Sequence, residues 1–203
     1  MQRLIDGYRR FRAETWPQQR AQFEALAAEG QKPHTMVIAC SDSRVDPGSI
    51  FAAAPGELFV VRNVANLVPP YAPDAAYHGT SAALEFGVRV LGVSRILVMG
   101  HALCGGVRAL LEGAPPEAQD FVVGWMRIAA EARSKVLACE GVEDRQELGE
   151  LEAVRLSLAN LMTFPWVAEA VRSGRLELRG AHFGVATGRL LLLDTATGDF
   201  APA

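Results

Sequence analysis

The spacing of hydrophobic and polar positions changes along the chain, from helical at the N-terminus to continuously apolar further on. "RLIDGYRRFRAE" and "QQRAQFEALAAEG" carry apolar residues at helical spacing, and Gly30 is a good helix-ending residue. "TWP" between them predicts a break between two amphipathic helices. "TMVIAC" (35–40), "ELFVVRN" (57–63) and "RILVMG" (95–100) are short and almost uninterrupted by polar residues. They predict central strands that are covered on both faces.

The segments around these strands predict an α/β fold. "GTSAALEFGVRVLG" is helical by pattern and lies between the second and third strands, which predicts a parallel strand, helix, strand unit. Helical patterns follow in "EAQDFVVGWMRIAAEARSKVLA", "RQELGELEAVRLSLANLMT" and "PWVAEAVRSG". "RLELRGAHFGVATGRLLLLDTATGDF" alternates and turns twice through "ATG", which is typical of a hairpin at a sheet edge. The sequence therefore predicts a central, mainly parallel sheet flanked by helices.

Composition limits the class of protein. The chain has 203 residues, 50% of them hydrophobic, so we expect one domain that spans residues 1–203. A net charge of −3 gives no basic surface for a phosphate backbone, which argues against nucleic acid as a partner. The N-terminus carries charges throughout, so we expect no signal peptide and no membrane association. These features predict a cytoplasmic protein.

Cysteine and histidine residues follow two of the predicted strands. Cys40 ends the first strand, and "GHALCGG" places His101 and Cys104 directly after the third. The carboxyl ends of parallel strands share one edge of a sheet, and ligands bind there in open α/β sheets. Two thiolates and one imidazole suit zinc, and three protein ligands leave a fourth position open, as in catalytic zinc sites.

Other interpretations of these residues remain open at this stage. A cysteine on a buried strand is most often a small apolar residue, and His-x-x-Cys alone is a weak motif. Cys40 and Cys104 would also suit a redox pair, and a zinc ion with a closed shell would suit a binding module. "GHALCGGV" lacks the Lys and Ser/Thr of a phosphate-binding loop. Cys139, the third cysteine, lies in a helical pattern without a polar partner and is interpreted as structural.

Four motifs, in this order and spacing, closely resemble the β-class carbonic anhydrases: "CSDSR", "RNVANLVPPY", "GTSAALEFGV" and "MGHALCGG". The resemblance implies a zinc enzyme that interconverts carbon dioxide and bicarbonate, with one Zn²⁺ per chain. It implies a sheet of four parallel strands plus one antiparallel edge strand. It also implies homodimers or higher multiples of dimers, with an N-terminal helical arm (1–30) for dimerisation and an α/β core (31–203). The implied zinc ligands are Cys40, His101 and Cys104.

Asp42 and Arg44 form the implied catalytic pair. A zinc-bound hydroxide must present a lone pair to carbon dioxide, and a carboxylate that accepts its proton would fix that orientation. Arg44 keeps Asp42 ionised through a charge-assisted hydrogen bond and prevents it from closing the open metal position. Two thiolates cancel the formal charge of the metal, so activity is expected to rise on the alkaline side.

The resemblance also implies a substrate pocket, some of it contributed by the partner subunit. Phe59, Val64 and Phe86 would line the pocket, Gln31 would donate an amide hydrogen bond, and the Gly105 N–H would bind an anion at a helix start. Phe86 departs from plant-like relatives, in which a tyrosine is usual.

Val37 bears on how the site is regulated. β-Class enzymes that bicarbonate inhibits have a tryptophan at this position, three residues before the first ligand cysteine. "NVANLVPPY" is similar to the plant-like type. The expected form therefore has Asp42 paired with Arg44 and water on the zinc.

Overall fold

The fold is organised around one mixed sheet. The computed structural model describes residues 1–74 and 76–203, and within these the sheet has six strands in the order β2-β1-β3-β4-β5-β6. The first four are parallel to one another, and the last two are antiparallel. The strands are β1 (Thr35–Cys40), β2 (Leu58–Asn63), β3 (Arg95–His101), β4 (Glu177–Phe183), β5 (Leu190–Leu193) and β6 (Phe200–Pro202).

The helices precede the sheet, connect its parallel strands and cover its faces. Across the described part of the chain, none of them is long and apolar enough to cross a membrane. The α-helices are α1 (Gln2–Arg10), α2 (Trp16–Glu29), α3 (Pro47–Ile50), α4 (Gly79–Glu85), α5 (Gly105–Glu112), α6 (Val122–Met126), α7 (Ala130–Ala138), α8 (Arg145–Leu161) and α9 (Pro165–Arg172).

The parallel strands are apolar on both sides because the core continues on both faces of the sheet. In β1, Met36 and Ile38 belong to one buried cluster, whereas Val37 and Ala39 belong to a second. All four side chains are fully buried. A strand between two hydrophobic layers has no solvent face for polar residues, which explains its uninterrupted apolar sequence. The predicted α/β class with a mainly parallel sheet is confirmed.

The antiparallel edge has two strands where one was expected. The chain leaves β5, turns at Asp194–Gly198 and returns as β6, which pairs with β5 from Leu191 to Leu193. Gly198 closes this turn with a φ of 82°, a conformation that favours glycine. The second "ATG" therefore adds a short strand to the edge.

The expected break in the N-terminal helix is absent. Phe11–Thr15 forms a π-helical turn that joins α1 to α2 without interruption. Pro17 lies just after this π-helical turn, which replaces the regular hydrogen-bond pattern of an α-helix close to a residue that has no N–H to donate. Neither α1 nor α2 contains a buried residue, so this arm makes no contribution to the core of its own chain.

The segment 117–138, expected as one long helix, is divided instead. A 3₁₀ turn at Arg127–Ala129 separates α6 from α7. Met126, Ala129 and Ala132 are buried at three-residue intervals, and a 3₁₀ turn places residues at this interval on one face. The tighter turn thus directs these side chains into the core.

Helix α8 lies unusually close to the sheet. A Cβ atom added to Gly100 would lie 2.7 Å from Val154 Cγ2, and one added to Gly180 would lie 2.9 Å from Val154 Cγ1. Gly100 is on β3 and Gly180 on the neighbouring β4. The two glycines therefore leave the space that the Val154 side chain occupies.

We expect Gly100→Ala to lower the free energy of unfolding by about 1–3 kcal/mol, because the added methyl group overpacks the contact with Val154. Urea denaturation followed by circular dichroism measures the change. Gly7→Ala is the control, since a Cβ there meets nothing closer than 4.0 Å. Equal stability of the Gly100→Ala variant and the wild type would show that the helix can move away from the sheet at no cost.

Candidate metal centre

Cys40, His101 and Cys104 meet at the carboxyl edge of β1 and β3. These strands are adjacent and parallel, so their last residues lie side by side. Cys104 returns to the same point because Leu103 turns the chain with a φ of 60°. The Sγ atoms of Cys40 and Cys104 are 3.9 Å apart, and the ligand atoms of all three residues lie within 4.8 Å of one another. All three residues are buried.

The donor set and the orientation of His101 fit a zinc ion. Nδ1 of His101 lies 3.0 Å from the backbone oxygen of Ala102, which fixes the ring and directs Nε2 toward the two thiols. Nε2 is buried and has no hydrogen-bond partner among the described residues. A buried nitrogen without a partner is costly, and a metal ion would satisfy it. Two sulfurs and one imidazole are ligands that zinc prefers.

The hydrogen bond between the two thiols favours a thiolate at Cys40 over one at Cys104. A hydrogen bond from the Cys104 thiol lowers the pKa of Cys40, and contacts with His101 and with the backbone of Asp42 and Ala65 lower it further. The same hydrogen bond, together with burial, raises the pKa of Cys104. Burial lowers the pKa of His101, but Cys40, the backbone of Ala102 and the charge of Asp42 together raise it by more. A metal that takes both sulfurs must therefore displace a proton from Cys104.

Asp42 and Arg44 form a bidentate ion pair at the mouth of the cluster. Arg44 donates from Nε to Oδ1 at 2.9 Å and from Nη2 to Oδ2 at 2.7 Å, and its backbone N–H donates to Oδ1 as well. These hydrogen bonds from Arg44 hold the pKa of Asp42 well below its usual range. Nη2 of Arg44 also donates to the backbone oxygen of Leu103. The guanidinium therefore joins the loop after β1 to the loop after β3.

Two side chains that sequence reasoning did not assign brace the loops of this site. Arg62, inside the motif "RNVANLVPPY", donates from Nε to the oxygen of Cys40 at 2.9 Å and from Nη2 to the oxygen of Asp42 at 2.6 Å. Trp125 donates from its indole N–H to the oxygen of Val64 at 2.7 Å. The motif containing Arg62 was visible in the sequence, whereas nothing there linked Trp125 to Val64.

Of the predicted pocket residues, Val64 and Gly105 lie beside the metal cluster. Val64 follows β2, whose last residue, Asn63, aligns with Cys40. It lines a cavity of about 810 Å³ together with Phe121 and Trp125. Gly105 follows Cys104 directly as the first residue of α5.

Gln31, Phe59 and Phe86 lie elsewhere. Phe59 aligns with Met36, which at about 3.3 Å per residue places it roughly 13 Å along the strands from Cys40. The ring centroids of Phe59 and Phe86 are 6.1 Å apart, so these two form one aromatic group. Gln31 is exposed and precedes β1, at the opposite edge of the sheet from Cys40. One chain thus does not bring these three residues to its own metal cluster.

Comparison with known proteins identifies relatives over nearly the whole chain. Residues 35–190 match a family model described as carbonic anhydrase. A carbonic anhydrase of Pseudomonas aeruginosa is 41% identical over 202 residues, which cover 98% of this chain and 90% of the relative. Beta carbonic anhydrase 3 of Arabidopsis thaliana is 37% identical over 195 residues, with coverage of 93% and 74%.

Solved structures agree with these relatives. The β-carbonic anhydrase CcaA superimposes with a TM-score of 0.92 at 36% identity and covers 100% of this chain and 92% of its own. A tetrameric β-carbonic anhydrase from Sordaria macrospora superimposes with a TM-score of 0.82 at 27% identity and 98% coverage of both chains.

Replacing Cys40 with serine is expected to reduce bound zinc from about one ion per chain to a small fraction, because a hydroxyl is a poor substitute for a thiolate ligand. Zinc content is measured by mass spectrometry after desalting. Cys139→Ser is the matched control, since Cys139 is exposed and outside the cluster, and it should keep its zinc. Wild-type protein that contains a Cys40–Cys104 disulfide and no zinc would instead favour a redox pair.

Proposed function

Because the chain belongs to the β-class carbonic anhydrases, which hydrate carbon dioxide to bicarbonate, we propose that a zinc ion held by Cys40, His101 and Cys104 supports this reaction. The observation that carries the proposal is the buried convergence of two sulfurs and the unpartnered Nε2 of His101 beside the Asp42–Arg44 pair. When bound, zinc lowers the pKa of a coordinated water toward about 7 and so supplies hydroxide near neutral pH.

Asp42 orients the attacking oxygen. Its carboxylate accepts the remaining hydrogen of that oxygen and leaves a lone pair directed at the carbon of carbon dioxide. The group performs this role only as an anion, and its lowered pKa keeps it ionised throughout the working range. A rise in activity between pH 6.5 and 9 therefore does not come from titration of Asp42.

Arg44 holds Asp42 in position. The bidentate hydrogen bond occupies both carboxylate oxygens and restrains the carboxylate from turning to the metal. The further hydrogen bond to the oxygen of Leu103 ties this pair to the loop that carries His101 and Cys104. Arg44 thus keeps the orienting group at a fixed position relative to two of the three zinc ligands.

The substrate enters through an apolar space. The cavity beside Val64 suits carbon dioxide, which has no charge and little polarity. We also propose that the backbone N–H of Gly105, at the start of α5, donates a hydrogen bond to the bicarbonate product.

A second copy of the chain completes each site. Gln31, Phe59 and Phe86 lie away from the metal cluster of their own chain, so we assign them to the pocket of the partner in a homodimer. The N-terminal arm supports this assembly, because α1 and α2 contain no residue that is buried within the chain, while Leu4 and Tyr8 are exposed. The tetrameric relative from Sordaria macrospora supports self-association as well. We also propose a cytoplasmic location, since a reducing compartment preserves two thiols only 3.9 Å apart.

Asp42→Asn is expected to slow the hydration of carbon dioxide by about 10- to 100-fold, because the amide no longer offers two acceptor oxygens for Arg44 and the attacking group. Zinc content should stay at the wild-type level. Stopped-flow hydration across pH 6.5 to 9 measures the loss, which should be similar at every pH because Asp42 does not titrate in this range.

Glu131→Gln is the matched control for this experiment. Glu131 is a carboxylate paired with Lys135 on the exposed face of α7, away from the metal cluster, and its loss should leave the rate unchanged. Undiminished turnover by Asp42→Asn would remove this carboxylate from the mechanism.

Mixed dimers of Asp42→Asn and Gln31→Ala chains are expected to be more active than either parent. In such a dimer, the intact metal cluster of the Gln31→Ala chain receives Gln31 from its Asp42→Asn partner, so one site per dimer is complete. Co-expression with two affinity tags isolates the mixed species for stopped-flow assay.

A chain that carries both substitutions provides the comparison. A homodimer of this doubly substituted chain has no complete site, so its activity should be no higher than that of the less active single variant. If the sites were formed within single chains, mixed dimers would give no more than the mean of their parents.

A further inference from the structure

A buried carboxyl group outside the catalytic pair contacts the backbone of a zinc ligand. Glu150, on α8, is 2% exposed, and the mechanism above does not use it. Its Oε1 accepts a hydrogen bond from the backbone N–H of Cys104 at 2.9 Å and another from Nε2 of Gln146 at 2.7 Å. Its Oε2 lies at hydrogen-bond distance, 2.9 Å, from Nε2 of His182 on β4. Three hydrogen-bond partners thus converge on one carboxyl group.

Cys104 is held at both of its backbone groups by α8. Glu150 accepts from its N–H, and Nε2 of Gln146 donates to its carbonyl oxygen at 2.9 Å. Restraint is needed here because Leu103, the residue before Cys104, has a φ of 60°, which costs about 1 kcal/mol or more for a residue with a side chain. Cys104 is also the N-cap residue of α5. The direction of its thiol therefore depends on these backbone contacts.

The carboxyl group reaches Cys104 only because α8 approaches the sheet closely. Gly100 faces α8, and a side chain there would meet Val154 and lie 3.5 Å from the backbone oxygen of Glu150. Gly100 also aligns with His182, which is almost fully buried. Burial of Glu150 and His182 is costly unless every polar atom is paired, and such pairs are poor sources of net stability. Their presence beside a zinc ligand points to a role in the site.

We propose that Glu150 is a positioning residue for the metal centre, holding the Cys104 backbone with the support of His182 and Gln146 so that the Cys104 thiolate is directed at the zinc. The inference rests on the proposed zinc site. Residues that do not bind the metal but hydrogen-bond to its ligands typically contribute about 10- to 100-fold to metal affinity, which is lost when they are replaced. The network therefore acts on the retention of zinc and on the geometry of the Cys104–metal bond.

Zinc release tests this role directly. Zinc-loaded wild type, Glu150→Ala and Glu150→Gln are mixed with an excess of a chromogenic chelator, and the rate of zinc transfer is recorded. Glu150→Ala should release zinc about 10- to 100-fold faster, because the N–H of Cys104 loses its acceptor. Glu150→Gln keeps one acceptor oxygen, so its rate of zinc release should lie between those of the wild type and Glu150→Ala. In cobalt-substituted protein, the thiolate-to-cobalt charge-transfer band should weaken in the same order.

Ser157→Ala is the matched control for loss of buried polar contacts on α8. Ser157 is fully buried, donates to the oxygen of Asn66 and accepts from the N–H of Val68, and touches no zinc ligand. Its variant should be less stable to urea yet release zinc at the wild-type rate and keep the cobalt band. Faster release by Ser157→Ala, equal to that of Glu150→Ala, would reduce Glu150 to a structural residue and overturn the proposal.

The remaining outcomes are equally decisive. If Glu150→Ala does not fold, Gln146→Ala and Glu150→Gln replace it in the experiment. The proposal is overturned if both of these variants release zinc at the same rate as the wild type. Wild-type protein that holds zinc while the Glu150 variants release it no faster contradicts this inference alone. Wild-type protein that binds no zinc removes the proposed function and this inference together.

Discussion

The parallel pairing of β1 with β3 is the constraint on which the site depends. Cys40 and His101 are far apart in the sequence, and only adjacent parallel strands that end at one edge bring them together. Local propensity cannot supply this proximity, because no turn connects the two residues. The hydrophobic layers on both faces of β1 fix its position between β2 and β3, so the residues that form the core also bring the proposed zinc ligands together.

Three polar connections then convert this proximity into a defined geometry. Arg62 holds the carbonyl oxygens of Cys40 and Asp42. Arg44 joins the loop of Asp42 to that of Leu103. On the far side, the side chains of α8 hold both backbone groups of Cys104. Each connection acts on the backbone at or next to one of the proposed zinc ligands, so surrounding residues set the positions of the two sulfurs.

Much of this arrangement could be predicted from the sequence, since the signals were local. "TMVIAC" coincides with β1, and the resemblance carried by four motifs is confirmed as membership of the family. The π-helical turn at Phe11–Thr15 and the division of 117–138 were not predicted, because helical spacing alone does not distinguish α, 3₁₀ and π turns. Glu150 could not be found, since its contacts with Cys104 and His182 span 46 and 32 residues of sequence. The resemblance implied that the substrate pocket contains Gln31, Phe59 and Phe86. The distance of Phe59 from Cys40 in the same chain follows from the register of β1 and β2, which a hydrophobic pattern does not determine.

The close approach of α8 to the sheet has an evolutionary consequence. Gly100, Gly180 and Val154 share one space, in which the two glycines accommodate a single branched side chain. A lineage that acquired a side chain at position 100 or 180 would have to shorten the residue at position 154 or move the helix that carries Glu150. Residues 100, 154 and 180 are therefore expected to change together among descendants. Such coevolution would link the packing between α8 and the sheet to the position of Glu150.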